Sequence, residues 1–144
     1  MSKTIARGTE TTLAAALIIG FSGAAWAAGD AEAGKKVYKK CKACHTLEEG
    51  GKNRVGPNLW GILGRTAGAA EGFKFSDDMI AAGEAGLVWS EETLTNYLRK
   101  KEGGKAYIGS FIGKKRAKIK MAFPGLKKEG QAENVVAYVK ANTQ

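Results

Sequence analysis

The sequence predicts an all-α fold of short helices and long loops. Two observations carry that expectation. Apolar residues recur at helical spacing in short runs that open on capping residues, and no alternating apolar–polar strand pattern or internal repeat is present. Between those runs lie glycine-containing stretches that cover ground without burying much side chain. The 144 residues suffice for one compact domain. The apolar faces of the expected helices are nevertheless too small to be self-sufficient.

Residues 1–27 read as a cleaved secretory signal. Lys3 and Arg7 give a positive start, Leu13 to Phe21 an apolar run, and Ala25-Trp26-Ala27 small residues at a cleavage site. The alternative is an uncleaved membrane anchor. The uncharged span from Thr11 to Gly29 is barely long enough for one, and Gly20, Ser22 and Gly23 weaken it. Cleavage leaves one domain, 28–144. It removes two cations and one anion, so the formal net charge falls from +9 to +8.

Asp30 is placed to cap a first helix running to about Lys40, with Glu32 near its positive end. Ala33, Val37 and Tyr38 form its apolar side. Gly34 costs helix propensity and makes sense where another helix crosses. Residues 49–57 form a Gly-rich loop, 58–64 at most a short turn, and 65–75 another irregular stretch. Ser76-Asp77-Asp78 starts a short helix that carries Met79 and ends near Gly83 or Gly86. Ser90-Glu91-Glu92-Thr93 starts another, with Leu94, Tyr97 and Leu98 facing inward, and Gly103-Gly104 ends it. Residues 105–120 read as irregular and strongly basic. Met121 to Gly125 is a turn, and a last helix spans about Gln131–Asn142 with Val135, Val136, Tyr138 and Val139 as its packing face.

The chemistry lies in Cys41-Lys42-Ala43-Cys44-His45. Two thiols at this spacing, followed at once by an imidazole, form an attachment site for a c-type haem. Each thiol can add to one haem vinyl group, and His45 is then held under the iron as proximal ligand. A zinc site would need two more ligands, and the chain has no other Cys or His. A thioredoxin-like redox pair would need a βαβ context, which is missing. One such haem (heme c) would also complete the deficient core, as an apolar disc wrapped by helices and loops. The single histidine excludes two histidine ligands from one chain. Methionine is the expected sixth ligand, with lysine or water as fallback. The candidates are Met79 and Met121, since Met1 lies in the removable segment.

The quoted residues bring a resemblance into view. Gly29 to Tyr38, the haem motif, Gly56-Pro57-Asn58-Leu59, Gly64-Arg65, Gly72-Phe73, Trp89, Tyr97-Leu98, Met121-Ala122-Phe123 and Val136 to Lys140 together resemble the class I c-type cytochromes. These are mitochondrial cytochrome c and its soluble bacterial periplasmic relatives. The resemblance covers essentially all of 29–144. It implies that Cys41 and Cys44 hold the haem and that His45 and Met121 ligate the iron. It further implies that the Pro57 carbonyl accepts the His45 ring N–H, and that Arg65 and Trp89 lie near the haem propionates. Tyr97 would place its hydroxyl near the Met121 sulfur. Gly34 and Tyr38 would meet the last helix at Val135 and Tyr138. Phe75 stands where the mitochondrial pattern has a propionate-binding Tyr, and Ile119 where a Thr often lies. Extra residues appear near 79–86 and 103–117.

The implied function is one-electron transport in the periplasm, as a monomer and not as an enzyme. A peroxidase or gas sensor would need an open iron and a polar distal group, and no second His exists. The net positive charge calls for an anionic partner. Nucleic acid is disfavoured, because the lysines are spread and no nucleic-acid motif accompanies them. The resemblance implies membrane-bound redox complexes instead: a cytochrome bc-type reductase as donor, and an oxidase or photosynthetic reaction centre as acceptor. They would meet a haem edge ringed by Lys36, Lys40, Arg54, Lys120, Lys127 and Lys128, extended by Lys114, Lys115 and Arg116.

Overall fold

A computed structural model describes residues 29–101 and 103–144. The expected signal segment lies outside the described residues. Among the described residues, five helices follow in order: α1 (Ala31–Tyr38), α2 (Asp77–Glu84), α3 (Glu91–Leu98), α4 (Gly104–Phe111) and α5 (Gln131–Asn142). Extended pairing among these residues is limited to isolated bridges, Thr66 with Val88 and Arg99 with Leu126. None of these helices is long and apolar enough to cross a membrane.

Asp30 caps α1 as its side chain type requires, accepting the N–H groups of Glu32 and Ala33 at 2.8 and 3.1 Å. Ser90 caps α3 in a reciprocal arrangement with Thr93. Helix α3 stops five residues earlier than Gly103, because Arg99 turns extended and bridges to Leu126.

Helix α1 lies across α5. A Cβ on Gly34 would sit 1.9 Å from the Asn134 carbonyl oxygen and 2.8 Å from Tyr138 Cβ, so only glycine lets the backbones approach this closely. The Tyr38 and Tyr138 rings stack at a tilt with centroids 5.3 Å apart. The crossing therefore meets Asn134 and Tyr138. Val135, next to Asn134 on the same helix, is 1% exposed and also borders the central cavity.

Residues 105–120 are not irregular throughout. Helix α4 occupies their first half. It lacks a side-chain cap and contains two glycines, so no local signal marks it. Tertiary packing holds it instead: Ile108 is 0% exposed, and Gly104 seats against the Tyr97 ring. The lysine-rich run begins only after α4, at Lys114.

Candidate haem-binding site

The helices and loops leave a central cavity of about 320 Å³. Cys41, Cys44 and His45 all line it. They leave α1 on a tight turn: the Cys41 N–H bonds to Tyr38 O at 2.7 Å, and the Cys44 and His45 N–H groups both bond to Cys41 O at 3.0 Å. That turn brings three reactive side chains onto one wall. Cys41 is half-buried, and burial pushes its thiol up to about 11.

His45 Nδ1 lies 2.8 Å from the Pro57 carbonyl oxygen. A carbonyl only accepts, so Nδ1 carries the proton and Nε2 keeps its lone pair for a metal. Burial holds the imidazole below its ordinary pKa, opposed by this hydrogen bond. The ring rests on Gly56, where a Cβ would come within 2.3 Å of His45 Cε1. The Gly56 N–H bonds to Cys44 O at 2.9 Å, and Asn58 Nδ2 to Thr46 Oγ1 at 2.7 Å. The loop that orients the imidazole is therefore tied to the haem motif itself.

Met121 and Met79 both line the cavity, and they differ in setting. Met79 is buried in α2. Met121 is half-buried in a non-helical turn, and its Sδ accepts the Tyr97 hydroxyl at 3.3 Å. Trp89 is buried with its ring centroid 5.2 Å from that of Tyr97. Arg65 donates to the carbonyls of Asn58, at 2.9 Å, and Trp60, and burial holds its pKa below the ordinary arginine value. All eight sequence-derived site residues, Cys41, Cys44, His45, Pro57, Arg65, Trp89, Tyr97 and Met121, border this one cavity.

The structure adds Ser76. Its hydroxyl does not cap α2, is buried without a hydrogen-bond partner, and belongs to the cavity wall. An orphaned buried donor is costly unless a ligand satisfies it. Phe75 beside it also lines the cavity, without the hydroxyl of a tyrosine. In the sequence Ser76 looked like an ordinary helix start, and that signal hid it.

The wall thus offers two thiols, a prepared imidazole nitrogen, a thioether sulfur, a buried hydroxyl that could meet a carboxylate, and otherwise mainly apolar side chains. This donor set fits a covalently attached haem. The alternatives fit less well. Among the described residues no cluster of three or more His, Cys, Asp or Glu is positioned for a metal ion, and five helices with only isolated bridges give no βαβ context for a redox pair.

Residues 31–143 match the cytochrome c family. The chain is 44% identical over 119 residues to cytochrome c2 of Rhodospirillum rubrum, covering 83% of this chain and 85% of that protein. It is 41% identical over 135 residues to cytochrome c-551 of Roseobacter denitrificans, covering 89% and 92%. The structure of cytochrome c2 from Rhodospirillum centenum superposes with a TM-score of 0.72 at 39% identity, covering 81% of this chain and all of that one. That of Rhodobacter sphaeroides cytochrome c2 gives 0.70 at 36%, covering 80% and 97%. With residues 31–143 matching the family and relatives alike along most of their length, the chain belongs to the cytochrome c family.

Proposed function

We propose that residues 28–144 are a monomeric one-electron carrier, exported to the periplasm by cleavage of residues 1–27. Cys41 and Cys44 would hold one haem c, and His45 and Met121 would be the two protein ligands to its iron. The observation that carries this reading is that both candidate ligands face one apolar cavity, each oriented by a hydrogen bond, from His45 to Pro57 and from Tyr97 to Met121. Bound haem iron supplies an Fe(III)/Fe(II) couple, and His/Met ligation with apolar burial raises its potential.

The chain's own work is positional. Pro57 keeps Nε2 of His45 available. Tyr97 keeps the Met121 sulfur in place. Arg65, Trp89 and Ser76 serve the propionate side. With His45 and Met121 both committed to the iron, the chain would leave no open ligand position for a substrate, which argues against peroxidase or gas-sensing chemistry.

Partners are membrane-bound redox complexes, a bc-type reductase as donor and an oxidase or photosynthetic reaction centre as acceptor. Lys36, Lys40, Arg54, Lys120, Lys127 and Lys128 are exposed, and Lys40 and Lys120 border the cavity. The ferric optical spectrum tests the ligand set. A near-infrared sulfur-to-iron band is expected in the native protein and in Met79→Leu, and its loss in Met121→Ala. A high-spin native spectrum would favour an enzyme. Mass spectrometry of the purified protein reads the N-terminus.

A further inference from the structure

Asp78 is a charged side chain in the first turn of α2, yet it is only 8% exposed. Its two oxygens are used differently. Oδ1 accepts the Lys114 ammonium at 2.5 Å. Oδ2 accepts the backbone N–H of Lys118 at 2.6 Å. Lys118 stands three residues before Met121.

The surrounding backbone makes that second bond matter. Upstream, the Lys114 N–H bonds to Gly109 O at 2.9 Å and the Ala117 N–H to Lys105 O at 2.8 Å, which fixes the chain as it leaves α4. Downstream, Leu126 exchanges backbone bonds with Leu98 and Lys100 at 2.7 and 2.9 Å. Among the described residues, no backbone–backbone hydrogen bond involves 118–125. The Met121 turn is therefore suspended between two anchors, Asp78–Lys118 on one side and Leu126 on the other. Within the span, side chains add two ties: Tyr97 to the Met121 sulfur, and the Lys120 ammonium to the Lys74 carbonyl.

We infer that Asp78 is a positioning residue for the sixth iron ligand: its carboxylate clamps the Lys118 backbone and so limits how readily Met121 leaves the haem. The inference rests on Met121 being that ligand. An ion pair serving only to steady α4 would lie in the same place, but would leave the iron's coordination untouched. A charge-assisted hydrogen bond to a backbone N–H in a partly buried site restrains such a loop more than a neutral one. When the ligand-off state is a minor population, anything that raises that population strengthens binding of an external ligand in proportion.

The test uses purified ferric holoprotein with imidazole as the competing ligand. Asp78→Ala should lower the imidazole Kd about tenfold, the change expected for loss of a hydrogen bond to a charged group. It should also shift the reduction potential downward, and lose the sulfur-to-iron band at a guanidinium concentration well below that which melts the helices. Asp78→Asn keeps an acceptor for Lys118 and should recover most of the native behaviour. Lys114→Ala should resemble native, because the Lys118 bond survives it. Unchanged imidazole affinity and potential in Asp78→Ala overturn the inference, as does a Lys114→Ala effect as large as that of Asp78→Ala. Should Asp78→Ala fail to accumulate with haem, Asp78→Glu carries the test. Its extra methylene displaces the acceptor and should tighten imidazole binding several-fold, and an unaltered affinity is the opposing result. Met121→Ala separates the two readings, since a band that survives in it removes Met121 as the ligand whatever Asp78 does.

Discussion

The Tyr97 hydroxyl lies 3.3 Å from the Met121 sulfur, joining α3 to a turn 24 residues further along the chain. Burial pushes the Tyr97 pKa up, so it is a neutral donor at any pH the protein meets. Tyr97→Phe removes only that bond, and sulfur is a weak acceptor, so the stability cost should be about 0.5 kcal/mol. The sulfur-to-iron band should persist at neutral pH but disappear at lower denaturant than in the native protein. Tyr97→Ala also opens a cavity beside Trp89 and should cost about 3–5 kcal/mol. Equal unfolding midpoints for the two variants would contradict this.

Gly34→Ala should be among the most damaging single-methyl additions in the chain. The added carbon would lie 1.9 Å from the Asn134 carbonyl oxygen, which is backbone and cannot swing aside. Helices α1 and α5 must separate, at about 3 kcal/mol. The guanidinium midpoint of the holoprotein reads this directly. A midpoint equal to native would mean that the crossing is looser than the structure has it.

Haem should be required for folding. Core residues Val37, Leu87 and Ile108 are buried away from the cavity, but Tyr38, Ile62, Leu94, Val135, Val136 and Val139 all border it. Without a disc to pack on, their burial cannot offset chain entropy. Cys41→Ser combined with Cys44→Ser should give weak helical circular dichroism and no cooperative melt. A cooperative, native-like melt of that apoprotein is the contrary outcome.

The lysine rim should govern encounter rates. Lys40 and Lys120 border the cavity, whereas Lys140 lies on α5 and pairs with Glu91 at 2.6 Å. Exposed charges farther apart than about 8 Å are screened at physiological salt, so electrostatic steering fades as salt rises. Stopped-flow electron transfer with a membrane redox partner should therefore slow steeply with ionic strength. Lys40→Glu and Lys120→Glu should slow it more than Lys140→Glu. A salt-independent rate, or equal effects at all three positions, would place the docking face elsewhere.

Acid stability should depend on Asp78. Hydrogen bonds from the Lys114 ammonium and the Lys118 N–H hold its carboxyl below the usual range. As pH falls, the unfolded chain takes the proton first. The stabilisation is complete above about pH 4, the ordinary aspartate value, and is lost as pH drops toward the folded value. Melting temperatures of native protein and Asp78→Asn should thus differ at pH 6 and converge at pH 3. A gap of the same size at both would mean that the charge contributes nothing.

The sequence by itself determined whatever rests on covalent spacing or on hydrogen bonds a few residues long. Cys41, Cys44 and His45 are three neighbours on one turn, and no tertiary contact is needed to read them. Asp30 and Ser90 cap helices through bonds to residues two and three positions ahead, so α1 and α3 were visible, as was α5 from its apolar face. The tertiary structure decided the rest. Helix α4 has no cap and glycines within it, and stands because Ile108 is buried and Tyr97 supports its start. Ser76 starts a helix in the sequence, but its hydroxyl is buried at the cavity wall without a partner. Asp78 meets Lys114 and Lys118 across 36 and 40 residues. Contacts at that range leave no periodic trace in a sequence. They depend on how loops close around a shared centre, and here that centre is a cofactor whose shape the chain's own periodicity does not contain.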